Sequence, residues 1–197
     1  GGSHQSVEDS ALMRVLPNMA VLVPADAVET KRMMDAAVEL NGPVYLRLGR
    51  LATEVILPED YQFELGKAVT LKEGTDVTII AIGLMVEKAV EAAEILAGEG
   101  INARVLNMGC IKPIDRDAIV AAAKETGAIV TAEEHSIIGG LAGAVCEVLA
   151  ETVPAPVEKV GIMDQFGQSG KAVDVLEHYN LNTNAIVEAA KKAIGRK

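Results

Sequence analysis

Val77-Thr78-Ile79-Ile80-Ala81-Ile82-Gly83 is an uncharged, largely β-branched run closed by a glycine. A strand wetted on one face alternates apolar and polar residues, so a continuous run of this length suits a strand covered on both faces, as in a parallel sheet. Beyond it, Val86, Val90, Ala93 and Leu96 recur at helical spacing, and Glu87, Lys88, Glu91 and Glu94 fall on the other side. The pairing repeats downstream: a strand over 103–106 with a helix over 118–124, a strand over 128–132 with a helix over 141–150, and a strand over 157–161 before helices near Val173 and over 186–193. Upstream, residues 63–70 read as a further strand ahead of a Glu73-Gly74 turn. The expectation is an α/β fold, a three-layer α/β/α domain with a mostly parallel sheet of about five strands.

Outward from this unit, the first fifty residues form a smaller α/β piece. Ser6 and Asp9 have capping-box spacing ahead of a helix with Val7, Ala11, Leu12, Val15 and Leu16 on one side, and Pro17-Asn18 ends it. A short strand over 20–23 follows, then Asp26 and Glu29 repeat the capping pattern before a helix through Leu40. Asn41-Gly42-Pro43 leads into a strand over 44–48. Periodicity fades over 51–61, which contains Pro58 and reads as a linker. The organisation is thus a partial α/β domain over 1–50, a linker over 51–61 and a complete domain over 62–197. Fifty residues of this kind bury too little surface to stand alone, and the chain opens without Met, so the first segment is expected to belong to something larger.

Composition narrows the functional classes. Half of the 197 residues are hydrophobic and the mean hydropathy is +0.26, which supports a real core. A net charge of -10 and a pI near 4.8 repel polyanions, and no Lys/Arg run stands among aromatics, so nucleic acid is not an expected partner. The longest uncharged apolar stretch, 137–146, is interrupted by three glycines and too short to cross a bilayer, so no membrane association is expected. With no leader in the sequence, a cytoplasmic location is the expectation. Cys110 and Cys146 lack CxxC spacing and His4, His135 and His178 are scattered, which argues for reduced thiols and against a metal site.

Three places can carry chemistry, each with an ordinary reading beside it. Gly83 ends a buried strand, where ligands of open α/β sheets collect, yet nothing adjacent to it titrates. Glu133-Glu134-His135-Ser136 precedes Gly139-Gly140 and a helix whose free NH groups can hold an anion; without a GxGxxG or P-loop pattern, tight packing explains the same glycines. The third place is the N-terminal piece. His4 follows flexible glycines and precedes a helix, and Arg50 ends an apolar strand beside Gly49, a cation placed for phosphate or carboxylate; the ordinary readings are a lone His without a role, or an expression scar at Gly-Ser-His, and a solvated or paired Arg. Arg47, three positions away, falls on the opposite face by alternation.

Gly1-Gly2-Ser3-His4-Gln5, with Glu8-Asp9, Arg14, Pro17-Asn18, Pro24-Ala25-Asp26 and Leu48-Gly49-Arg50, resembles the later part of the pyrimidine-binding domain of transketolases. The family's common form of the first motif is Asp-Gly-Pro-Thr-His-Gln-Pro. The resemblance sets Ser3 at the threonine and His4 at the histidine, with Gly2 and Ser6 replacing the prolines. Phe63-Glu64-Leu65-Gly66-Lys67-Ala68, Ile111-Lys112-Pro113-Ile114-Asp115, the Glu133–Ser136 segment and Asp164-Gln165-Phe166-Gly167-Gln168-Ser169-Gly170 are similar to the transketolase C-terminal domain. The likeness covers essentially the whole chain and is nearest to split transketolases, whose halves are separate chains.

The resemblance implies transfer of a two-carbon ketol unit from a ketose phosphate to an aldose phosphate, as in the pentose phosphate pathway. Thiamine diphosphate and Mg serve the complete enzyme. His4 is the implied catalytic residue, hydrogen-bonding substrate oxygens, and Arg50 the implied phosphate ligand; Arg47 reads as structural. The Gly-Asp-Gly cofactor motif is absent, and the glutamate that activates the thiamine pyrimidine lies before Gly1 in the family, so this chain alone is expected to bind no cofactor and to be inactive. Implied partners are the sugar phosphates and an N-terminal transketolase subunit or missing domains, in a homodimer or heterotetramer. The alternatives are a 2-oxoacid dehydrogenase beta-like or deoxyxylulose-phosphate synthase component, or a noncatalytic assembly module.

Overall fold

The computed structural model describes residue 2 and residues 5–197. In chain order the elements are α1 (Asp9–Val15), β1 (Ala20–Leu22), α2 (Ala27–Glu39), β2 (Val44–Leu46), β3 (Val69–Lys72), β4 (Val77–Ala81), α3 (Met85–Gly98), β5 (Ala103–Asn107), β6 (Cys110–Lys112), α4 (Arg116–Thr126), β7 (Ile129–Ser136), α5 (Leu141–Glu151), β8 (Val157–Ile162), α6 (Ala172–His178) and α7 (Thr183–Ile194). Five strands form the main sheet in the order β3-β5-β4-β7-β8. All neighbours are parallel except β3, which runs antiparallel to β5.

Every residue of β4 is buried, because helices cover both faces of the sheet. Ile79 and Ala81 face one way and pack with Ala89, Ala93 and Leu96 of α3 and Ile186 and Ala190 of α7. Ile80 and Ile82 face the other way and meet Ile119 and Ala122 of α4 and Leu141, Val145 and Val148 of α5. The period of two along the strand thus sorts its side chains into the two cores of a three-layer α/β/α domain.

The N-terminal elements are joined to this domain by hydrogen bonds. β1 pairs in parallel with β2 on one side and antiparallel with β6 on the other, giving a second sheet of order β2-β1-β6. β6 is a strand that the apolar pattern does not announce. It follows β5 after a short turn and lends its edge to β1, while Val23 N donates to Gly109 O at 2.7 Å. Lys112 extends the joint, its Nζ donating to the carbonyls of Arg14 (2.8 Å) and Leu16 (2.5 Å) where α1 leaves carbonyls without helical partners.

Two local expectations are overturned. Residues 63–68 are not a strand; extended pairing starts at Val69. Gly66 takes a left-handed φ of +78° against Pro113, and the Ala68 N–H is held by Asp115 Oδ2 at 3.0 Å, which turns the chain before the ladder begins. Nor do Ser6 and Asp9 form a capping box. The N-cap of α1 is Glu8, with no side-chain cap bond, and the Asp9 carboxylate is drawn inward to other partners. The helix is consequently turned so that Asp9 and Ser10 are buried, while Leu12 (57%), Val15 (77%) and Leu16 (41%) are exposed.

At α2 the capping reading matches the structure and extends beyond it. Asp26 Oδ1 accepts from the Glu29 N–H at 2.8 Å, and Oδ2 accepts from both the Ile56 and the Leu57 N–H at 2.8 Å, tying the 51–61 segment to the helix start. The Glu29 side chain turns inward to Ala25 N (2.7 Å) and Asn107 Nδ2 (2.9 Å). Burial raises its pKa. Removing the Asp26 carboxylate deletes a helix cap and orphans two backbone donors, one of them on buried Leu57. Asp26→Ala is therefore expected to cost about 2–4 kcal/mol in urea unfolding, with early proteolysis within 51–61.

Candidate functional site

The carboxyl ends of β4 and β7 are neighbours from which the chain departs in opposite directions, the usual ligand crevice of such sheets. Here that crevice is plugged. Val23 Cγ1 lies against Gly83, and the space left among Val23, Pro24, Arg47, Gly83 and Glu134 is about 10 Å3. The second sequence candidate is also filled from within. Glu133, fully buried, accepts from the first N–H groups of α5 with both oxygens, Leu141 N at 2.7 Å and Ala142 N at 2.9 Å. The anion that this helix N-terminus attracts is the protein's own carboxylate.

Around it the end of β7 becomes a polar seam facing α1 and β2. His135 is buried; its Nδ1 lies 2.7 Å from Ser136 O, and its Nε2 accepts from Ala11 N at 3.4 Å. Because the Ala11 amide can only donate, the ring carries its proton on Nδ1 and is neutral, in line with burial holding its pKa below the usual value. Ser136 N donates to Val7 O at 2.7 Å. Arg14 Nη1 donates to Gly139 O at 2.6 Å, and Nη2 pairs with Glu147 at 2.6 Å. Asp9 Oδ2 accepts from Tyr45 Oη at 2.7 Å and from Arg47 Nε at 2.9 Å; Arg47 Nη2 also donates to the carbonyls of Glu134 (3.0 Å) and Ser6 (3.3 Å). Sequence reasoning did not single out Tyr45 as a member of this seam and took Asp9 for a cap. The available signal was the i, i+2 pair Tyr45 and Arg47, two donors on one face of a short strand facing an acidic helix start.

One open space lies beside this seam. A cleft of about 450 Å3 is lined by Gln5 to Val7 on one wall, Arg47 to Leu51 on another, and Gly167, Gln168 and α6 on a third. Arg50 is exposed on its rim and makes no hydrogen bond or ion pair with the described residues. His4, the catalytic candidate, lies outside the described residues; the segment that follows it, Gln5 to Val7, is cleft wall. Among the described residues no group of three or more His, Cys, Asp or Glu side chains converges as metal ligands would, and no helix is long and apolar enough to cross a membrane. Cys110 is buried, its thiol pushed up to about 11 mainly by burial and donating to Pro113 O, so it is poorly suited to nucleophilic chemistry.

Burial raises the Glu133 carboxyl to about 7, against the pull of the two amides, Arg14 and Arg47. With the folded pKa above the unfolded 4.5, the folded state holds the extra proton between these values, so the stability this proton gives is complete below pH 4.5 and lost as the pH rises through 7. Glu133→Gln cannot lose that proton. The stability of the native protein relative to Glu133→Gln is expected to fall by up to about 3 kcal/mol between pH 4.5 and 8, read from urea midpoints.

Comparison with known proteins joins both halves of this arrangement to one family. Residues 1–55 match the family model of the transketolase pyrimidine binding domain, and residues 66–186 match that of the transketolase C-terminal domain. A 6-deoxy-6-sulfo-D-fructose transketolase subunit of Clostridium sp. (strain MSTE9) is 45% identical over 100% of this chain and 61% of its own length. A transketolase C-terminal section of Methanocaldococcus jannaschii, so described provisionally, is 45% identical over 95% of this chain and 60% of its own length. The chain thus spans about three fifths of these curated relatives. A solved structure described as a split gene transketolase in an inactive beta4 tetramer superposes with a TM-score of 0.97 at 54% identity, covering 100% of this chain and 65% of that one. The chain belongs to the transketolase family.

Proposed function

We propose that this chain is the C-terminal part of a transketolase that, combined with cofactor-binding parts beyond these 197 residues, transfers a two-carbon ketol unit from a ketose phosphate to an aldose phosphate. The observation that carries this reading is the cleft, in which the wall following His4 and the rim bearing Arg50 face one space. A polyol with a terminal phosphate needs both: a cation for the phosphate, and a polar group that follows its oxygens as charge moves during carbon–carbon cleavage. Arg50 supplies the first, exposed and without a partner among the described residues; His4 supplies the second, with an imidazole suited to proton movement near neutral pH.

We assign thiamine diphosphate and Mg to the cofactor-binding parts, because this sequence holds no Gly-Asp-Gly motif; the N-terminus of α5, which follows paired glycines, is taken by Glu133. The domain over 62–197 then serves to brace the 1–50 segment, with 51–61 as the linker between them. The working assembly is a homodimer or a heterotetramer with an N-terminal subunit, acting in pentose phosphate metabolism in the cytoplasm.

Two measurements check this. Reconstituted with a cofactor-binding subunit, the enzyme should form a ketose two carbons longer than the aldose acceptor and release no carbon dioxide, which separates it from deoxyxylulose-phosphate synthases and 2-oxoacid dehydrogenases. Arg50→Ala should then weaken use of phosphorylated acceptors by roughly tenfold to a hundredfold, the equivalent of losing about 1.5–3 kcal/mol, and His4→Ala should lower kcat. Full turnover by both variants would favour a noncatalytic assembly module. Second, calorimetry on the 197-residue chain alone should detect no thiamine diphosphate binding; micromolar affinity would overturn the assignment of the cofactor to other parts.

A further inference from the structure

We propose that Arg47 is a positioning residue for Arg50: it fixes where the chain leaves β2 and thereby where the Arg50 guanidinium meets the substrate phosphate. The proposal rests on the reading of Arg50 given above. Arg47 is itself unsuited to binding an anion. Its side chain is 14% exposed, Nε is committed to Asp9 and Nη2 to the carbonyls of Ser6 and Glu134, and Nη1 stands 3.7 Å from Glu134 Oε2. Two carboxylates flank it, so its charge is balanced before any ligand arrives.

What Arg47 holds is the chain. Its amide donates to Leu22 O at 2.8 Å, and its side chain grips the start of α1 through Asp9 and the end of β7 through Glu134. Beyond it the hold stops. Residues 48–55 make no hydrogen bond with the described residues, and the next anchor is Ile56 N on Asp26. Packing adds little, since Leu48 is 57% exposed and a Cβ on Gly49 would meet nothing within 4 Å. Arg47 is therefore the last fixed point before Arg50, three residues or at most about 10 Å of extended chain away. The planar, many-donor guanidinium is what allows one side chain to bind two elements and the segment before α1 at once, which a lysine ammonium does not reproduce.

The test uses the reconstituted enzyme with one aldose as acceptor, with and without its terminal phosphate. Arg47→Lys is expected to lower the ratio of kcat/KM for the phosphorylated over the unphosphorylated acceptor about tenfold, chiefly through KM, and to change that ratio less than about twofold in an Arg50→Ala background. A merely structural Arg47 lowers both acceptors by the same factor, or adds its full effect to Arg50→Ala; either result overturns the proposal. If Arg50→Ala alone leaves the ratio unchanged, the phosphate reading falls and this one with it. If Arg50→Ala lowers the ratio and Arg47→Lys does not, only this one falls. Should Arg47→Lys fail to fold, Asp9→Asn, which weakens the carboxylate anchor on Nε and keeps the guanidinium, is expected to lower the ratio about threefold, and its outcomes count in the same way.

Discussion

The end of β7 carries Glu133 and His135 into a region with no access to water, and the rest of the structure is arranged around that fact. Buried polar groups are costly unless every donor and acceptor is met. The partners come from three directions: α5 gives its first amides to Glu133, α1 gives the Ala11 amide to His135, and the Val7 carbonyl takes the Ser136 amide. Satisfying one strand end therefore fixes the start of α5, the seat of α1 and the path of the segment before it. The N-terminal elements are held by this seam and by the β1–β6 pairing together with a shared apolar core, in which Val21 and Val23 are buried among Ile80, Ile82 and Met108.

The same seam decides where a cleft can exist. By filling the switch point with Val23 and Pro24 and the α5 N-terminus with Glu133, the fold closes the two positions where α/β sheets most often bind ligands. The cleft beside the seam lies where two loosely packed stretches face each other, the chain before α1 and the chain after β2. A site built from such stretches depends on how firmly their ends are anchored, since the stretches themselves supply few contacts.

Much of the main sheet was legible because its evidence is redundant. The uncharged run at 77–82 allows little but a strand covered on both sides, and each later strand is followed by a helix at the expected interval. Short or context-bound features were not legible. Three residues, Cys110 to Lys112, carry too little pattern to announce β6, whose existence depends on an edge offered by β1. Ser6 and Asp9 have the local form of a cap, but a tyrosine and an arginine brought close by β2 compete for the same carboxylate and win. At 63–68 an apolar stretch reads as a strand until Gly66 and Asp115 turn it. Arg50 stands out in the sequence only through the motif it shares with a family, since a cation beside a glycine at a strand end is by itself as readily a solvated residue; the role of Tyr45 emerges only once β2 and α1 are side by side.

Gly140 shows what such a seam means for descent. A Cβ at this position would stand 2.6 Å from His135 Nδ1 and closer still to a Glu133 carboxylate oxygen. The dependence runs one way: the glycine cannot gain a side chain while the glutamate and the histidine keep their places, whereas a change at either of those comes first and opens the position to a larger residue. Lineages that keep Glu133 and His135 should inherit Gly140 with them, however the neighbouring cleft changes.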